Sequence, residues 1–239
     1  MRVLALLAVA LLTAGCVNTV AGMPKRAVRP ASTVAPLEQI LPTDDEVKAA
    51  VGNDLPAHSP PATGGIDVLP NGIRDDSAAA PIECIGATDP LLRVVYEKGP
   101  IRGVATQTYW NYDSGVAVSS AHAGVVRLAS SADAQRLFAS FVAQWQKCAG
   151  TTVTMNTHDS ENTELYSKVI DVKVEGPVLS VTLSDWDNHT TPPAPNEHAV
   201  GVESDVIVDV EAADQPGVQA GTRAIDLVKV MLRKVSSTN

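Results

Sequence analysis

Aromatic side chains are scarce: two Phe, three Trp and four Tyr make up 4% of the 239 residues. A core must then be filled by Val, Ala, Leu and Ile, and the apolar share of 45% is ordinary for a chain that builds one. Positive charge is in deficit too. Eighteen Lys and Arg against 27 Asp and Glu leave a net charge of −9. Such a chain lacks the basic footprint of a nucleic-acid binder and repels anionic lipid headgroups. Cysteine is limited to Cys16, Cys84 and Cys148, and two distant cysteines without adjacent histidines do not make a zinc site. The apolar run at the N terminus is too short to span a bilayer. Enzyme signatures are missing as well: no Gly-x-Ser-x-Gly, no Gly-x-x-x-x-Gly-Lys-Ser/Thr, no His-Glu-x-x-His and no Ser-x-x-Lys. No catalytic set, metal site or cofactor is expected.

What is present begins at Cys16. Arg2 precedes an apolar stretch that ends in Thr13, Ala14, Gly15 and Cys16, the layout of a secretory signal. The Ala-Gly-Cys ending resembles the lipobox of bacterial lipoproteins, in which the cysteine is lipidated and becomes the new N terminus. Thr13 stands where Leu is commonest. The alternative is an ordinary signal peptide cut near Ala14 and Gly15. The expected organisation is a signal at 1–15, a flexible tether at 16–36 and a domain at 37–239. Pro24, Pro30 and Pro36 keep the tether extended. The lipid on Cys16 would hold the chain on the outside of the cell membrane. With Cys16 lipidated, Cys84 and Cys148 remain. In an oxidising compartment a disulfide between them is expected, two free buried thiols being the alternative.

Thr43, with Glu46 three residues on and Gly52 as a stop, marks a helix. Residues 53–82 read as a long irregular segment. Asp89 and Pro90 open a short helix to 96, although Val94 and Val95 also permit a strand. Strands are expected at 104–112, 116–127, 151–155, 166–174, 178–186 and 200–210. In the last, Val200, Val202, Val206, Val208 and Val210 take one face, and Glu203, Asp205, Asp209 and Glu211 a solvated one. Ser131 caps a helix whose stripe is Leu137, Phe138, Phe141, Val142 and Trp145. A final helix begins near Pro216. The fold class is α+β: an antiparallel sheet of about six strands with two long helices packed on one face and an open groove on the other.

Trp110 and Tyr112 share a strand face. Trp186 continues the side of Thr182 and Ser184, opposite Val181 and Leu183. All three are expected at the open groove, able to stack on a ligand, with Asp185 and Asp187 beside them. The competing reading packs these rings under the loops at 53–82 or 187–198. Asp185, Asp187 and His189 could ligate a cation if the chain turned tightly there. The competing reading is a turn made of turn-forming residues.

The motifs Leu41-Pro42-Thr43-Asp44-Asp45-Glu46-Val47 and Cys84-Ile85-Gly86 carry a resemblance. So do the helix from Phe141 to Gly150 and the valine-rich last strand with its closing helix. Over about 37–239, after a lipoprotein-type signal, the chain resembles the PknH-like extracellular sensor domain, found on certain mycobacterial serine/threonine protein kinases and alone in lipoproteins. The resemblance implies an antiparallel sheet with helices and a cleft proposed to bind an unidentified ligand. It also implies one disulfide here, where the kinase-borne domain carries two. The resulting expectation is a cell-envelope lipoprotein with a non-catalytic domain that binds a small molecule or an envelope protein. The alternatives are an envelope hydrolase or transferase at Asp185, Asp187 and His189, and a purely structural protein.

Overall fold

The computed structural model describes residues 36–189 and 191–237. The expected signal, and all of the expected tether but Pro36, lie outside them.

Helix α1 (Asp44–Val51) forms where local chemistry dictates: Thr43 Oγ1 accepts from the Glu46 N–H, Glu46 accepts from the Thr43 N–H, and Gly52 closes the helix at φ +86°. The segment after it is less irregular than expected. It supplies the short strands β1 (Ala62–Gly64) and β2 (Ala79–Ala80), then α2 (Ile85–Thr88) and α3 (Arg93–Tyr96). The helix expected over 89–96 forms only in its second half, as α3, and does not start at Asp89 and Pro90. Asp89 ends α2 instead, and Leu91 turns the chain at φ +58° before α3.

The sheet continues with β3 (Ile101–Trp110), β4 (Val118–Leu128), β5 (Thr152–Asn156), β6 (Glu164–Glu175), β7 (Val178–Asp187), β8 (Ala194–Glu203) and β9 (Val206–Asp214). Helix α4 (Ser131–Cys148) lies between β4 and β5 in sequence, and α5 (Arg223–Ser237) follows β9. The N-cap of α4 is Ser130, whose hydroxyl accepts from the Asp133 N–H. All neighbours pair antiparallel, in the order β1-β3-β4-β9-β8-β7-β6-β5-β2. There are thus nine strands among the described residues, where about six were expected. β1 and β2 add to the two edges. The supposed strand at 200–210 is a hairpin, β8 turning into β9 at Ser204, which sits at φ +55°.

The two long helices pack on opposite faces, not on one. Val206, Val208, Val210 and Ala212 of β9, with Ala199 of β8, bury against Ala224, Leu227, Val228 and Met231 of α5. Ile207 of β9, Val200 and Val202 of β8, and Leu179, Val181 and Leu183 of β7 bury with Phe138, Phe141 and Trp145 of α4. Period-2 alternation sends Asp209 and Glu211 to the α4 side. The acidic row is therefore not a solvated face. The disulfide Cys84–Cys148 forms as expected and ties the start of α2 to the end of α4. On the α5 side of the sheet, Asp171, Lys173, Ser180 and Thr182 of β6 and β7 line a cavity together with Ala224, Ile225 and Lys229 of α5.

Candidate functional site

The α4 side of the sheet holds polar groups at depth. Asp209 is 2% exposed and His198 1% exposed. Asp209 Oδ1 lies 2.7 Å from His198 Nε2, and its Oδ2 accepts from Tyr96 Oη at 2.7 Å and from the Leu91 N–H at 3.1 Å. His198 Nδ1 meets the carbonyl of Ala87 at 3.1 Å. A carbonyl only accepts, so Nδ1 carries a proton, and the imidazolium satisfies both of its neighbours. Burial opposes a charge on His198, but the Asp209 carboxylate outweighs it and holds the imidazole above its ordinary range. Burial, then the charge of Asp209, pushes the Tyr96 phenol up.

This network positions a short stretch of chain. Ala87 and Leu91 are both tied to it, and between them Thr88 and Asp89 form one wall of a cleft of about 370 Å³. The opposite walls are the ends of β6 and β7 and the connection to β8, with Met155, Leu165, Trp186 and Pro192 as its apolar side. Its polar side is Asp89, Asp185 and Glu211. Asn196, 6% exposed, stands between the last two and donates Nδ2 to Asp185 Oδ2 at 2.9 Å and to Glu211 Oε1 at 2.5 Å. Thr88 Oγ1 donates to Asp89 at 2.9 Å.

Burial raises all three carboxyls. Glu211 is pushed up to about 8 by burial and then by the charge of Asp89, against the Asn196 hydrogen bond. Asp89 is pushed up to about 6 by burial, with the charge of Asp185 adding and the Thr88 hydroxyl opposing. Asp185 is raised by burial, against the Asn196 amide. Carboxyls displaced together in one cleft mark a place where charge is managed, not merely solvated.

The residues singled out in the sequence do not form one surface. Asp185 is in the cleft wall. Trp186 reaches the cleft and stacks on Tyr166 with centroids 5.4 Å apart. Asp187 lines the cleft but spends its carboxylate on a turn, accepting from the His189 N–H at 2.8 Å and from Thr191 Oγ1 at 2.5 Å. His189 bonds Thr163 instead, at 3.0 Å. The three residues of the supposed cation or enzyme site thus have separate partners, and among the described residues no three His, Cys, Asp or Glu are placed to hold a metal ion. Trp110 and Tyr112 lie elsewhere, at the end of β3. β3 stands four strand spacings from β7, roughly 19 Å. Trp110, 39% exposed, stacks on His58 at 3.8 Å and on Tyr112 at 5.4 Å.

Sequence reasoning missed Asp89, Asn196 and Glu211. The alternation of β9 placed Glu211 on a polar face, but nothing local shows that α4 and residues 85–96 cover that face.

The PknH-like extracellular domain matches residues 32–234 of the chain. The crystal structure of the extracellular domain of PknH from Mycobacterium tuberculosis is similar, with a TM-score of 0.70 at 20% identity, covering 84% of this chain and 95% of that one. An uncharacterised protein from Mycobacterium smegmatis aligns over 87% of this chain and 98% of its own, at 10% identity and a TM-score of 0.41. A comparison with curated proteins gives no match. The family match spans all but the ends of the chain and takes in the disulfide, the sheet and both long helices, so the chain belongs to the PknH-like extracellular domain family.

Proposed function

We propose that the protein is a cell-envelope lipoprotein whose domain binds a ligand without catalysis, and that the cleft between α2 and the ends of β6 and β7 is the binding site. The observation that carries the reading is the cleft itself: three displaced carboxyls and a set of apolar side chains line one cavity, within the size range of small-molecule sites. Trp186 is the stacking element, and Asp185 the buried polar one. Asp187 shapes the rim. Trp110 and Tyr112, with His58, form a separate exposed aromatic surface that suits an envelope protein partner. The disulfide and the Asp209 network hold the α2 wall in place.

The N-terminal sequence supports anchoring through Cys16, with 17–36 as a spacer on the outer side of the membrane. Among the described residues no helix is long and apolar enough to cross a membrane. Two experiments test the reading. Labelling of the full chain with a fatty-acid analogue is expected to depend on Cys16 and to vanish in Cys16→Ala. A thermal-shift screen against envelope lipids and glycans is expected to find a saturable stabilisation that Trp186→Ala removes without unfolding the domain. A shift that Trp186→Ala leaves untouched but Trp110→Ala abolishes would move the site to the β3 end.

A further inference from the structure

The polar wall of the cleft is built on carboxyls: Asp89, Asp185, Asp187 and Glu211 line it, beside the Ser167 hydroxyl, and no Lys, Arg or His does. Asn196 spends both amide hydrogens on Asp185 and Glu211. Its own Oδ1 is buried and takes no donor from the protein, and the Ser167 hydroxyl stands beside the Asp185 carboxyl and opposes its upward shift. Carboxyls gathered in one cleft with no basic side chain among its lining suit a positively charged group that only donates. Ammonium and guanidinium are such groups, with three and five hydrogens and no acceptor. A sugar hydroxyl brings lone pairs along with its donor, and an anion brings nothing else. Met155, Leu165 and Trp186 in the same lining suit an apolar stem, and Trp186 stacked on Tyr166 adds an aromatic ring suited to a cation.

Resting on the cleft being the binding site, we propose that its ligand is an organic cation: a primary ammonium or guanidinium head among Asp89, Asp185 and Glu211, carried on an apolar stem that lies against Leu165 and Trp186.

Binding is then coupled to protons. Glu211 is faced by Asp89 from the turn after α2, by Asp185 of β7, by Asn196 and His198 of β8, and by His122, its register partner on β4. His198 is already engaged by Asp209, so its charge is matched. In the empty cleft Glu211 holds its proton to about 8 and Asp89 to about 6. A bound cation displaces those protons, and affinity rises with pH.

The test uses the full chain in non-ionic detergent with three probes, 2-phenylethylammonium, agmatine and n-hexylammonium, each against its neutral alcohol counterpart. Calorimetry in buffers of different ionisation enthalpy reads affinity and proton release together. At least one cation is expected to bind saturably at pH 8, to release protons, and to bind roughly 50-fold more weakly at pH 6, the ratio of ionised fractions for a carboxyl titrating at about 8. Its alcohol is expected not to bind. Glu211→Gln, which keeps the shape, is expected to weaken binding and flatten its pH dependence while near-ultraviolet circular dichroism stays unchanged. Equal binding of an alcohol and its cation, or no saturable binding by any cation, overturns the inference. In either case a neutral or anionic ligand from the thermal-shift screen that depends on Trp186 leaves the binding site standing and removes only the cation.

Discussion

His198 Nε2 lies 2.7 Å from Asp209 Oδ1 with both side chains buried, and the ring of Trp145 covers the imidazole at 4.6 Å. The pair joins three parts of the protein. Its residues belong to β8 and β9, the aromatic cover comes from α4, and its outer hydrogen bonds hold Ala87, Leu91 and Tyr96. Removing one partner strands the other in a medium that does not solvate charge. Asp209→Asn is therefore expected to lower stability by about 3–5 kcal/mol. Urea denaturation at mildly acid pH measures the loss, and nitrogen-15 shifts of the His198 ring read the cause. The imidazole pKa, raised in the wild type, is expected to fall in the variant. An unchanged His198 titration would mean that Asp209 is not its counter-ion.

The pH dependence of stability has an unusual sign. Glu211 at about 8, Asp214 at about 7 and Asp89 at about 6 all hold protons more tightly folded than unfolded. Burial leads each shift, with the charge of Glu197 next for Asp214. His198 also holds its proton more tightly when folded. Each contribution is fully present below the unfolded pKa and is lost as pH rises through the folded one. The surface carboxyls held low, such as Asp187 and Asp159, titrate below this window. The thermal midpoint is thus expected to decline from about pH 5 to about pH 8, against the usual acid loss. Glu211→Gln and Asp214→Asn should each flatten the decline. A midpoint that rises across this range would contradict the burial of these groups.

How much of this was legible in the sequence depended on how local the cause was. Thr43 and Glu46 cap α1 within one turn of chain, so the motif suffices. The β8–β9 hairpin was hidden because its turn has no Gly, Pro or Asn, and Ser204 takes the left-handed conformation that such residues normally supply. The α4 stripe was readable from its spacing, yet its face of the sheet was not, since either face of an antiparallel sheet accepts such a helix. The break at Leu91 has a distant cause. Gly124 of β4 lacks a Cβ, Leu91 lies over that space, and its N–H reaches Asp209. The acidic alternation of β9 was correct as a pattern, but period 2 cannot distinguish water from a buried network. The separation of Trp110 from Trp186 required the strand order, which adjacency in sequence does not reveal.

That glycine can be tested directly. A Cβ at Gly124 would fall 2.2 Å from Leu91 Cδ2 and 3.0 Å from its Cγ. Leu91 is buried, and its Cγ as well as its methyl groups would meet the new Cβ, so the side chain must repack or the backbone must shift, straining the N–H bond to Asp209. Gly124→Ala is expected to cost about 1–3 kcal/mol. Gly52→Ala, with nothing near the new Cβ, would suffer only from its φ of +86°. Hydrogen exchange of the Leu91 and Tyr96 amides separates the two. Faster exchange there is expected in the first variant and not in the second.

The disulfide closes 64 residues of chain. Loop entropy alone gives it about 4 kcal/mol. It also fixes the residue before α2, and α2 presents Ala87 to His198 and leads into the cleft wall at Thr88 and Asp89. The double variant Cys84→Ser with Cys148→Ser is expected to lose most of that stability in urea. Any ligand of the cleft should weaken in parallel. A stable variant that has lost ligand binding would show that the bond serves the site more than the fold.

Glu197 does for α5 what Thr43 does for α1, but from a neighbouring strand and not from the adjoining chain. Its carboxylate is 4% exposed. Oε1 accepts from the Gly221 N–H and from Arg223 Nη1, and Oε2 from the N–H groups of Arg223 and Ala224, at 2.5–3.3 Å. Arg223 reaches on to Asp214 at 3.0 Å. A charge from β8 thus satisfies the N-terminal donors of α5 and opposes the positive end of its dipole. This explains why the helix begins at Arg223 and not near Pro216: the carboxylate that caps it lies beside residues 221–224. Glu197→Ala leaves three N–H groups without their acceptor and the Arg223 guanidinium with only Asp214 and the Gln219 carbonyl, and is expected to cost about 3–5 kcal/mol. Glu197→Gln keeps an acceptor but removes the charge, and should cost about 1–2 kcal/mol. It should also bring the Asp214 pKa down, since the charge of Glu197 helps to raise it. Urea midpoints and a carbon-13 titration of Asp214 measure both effects. If Glu197→Ala proved no worse than Glu197→Gln, packing of Leu227, Val228 and Met231 would be what seats α5, and the carboxylate would be incidental.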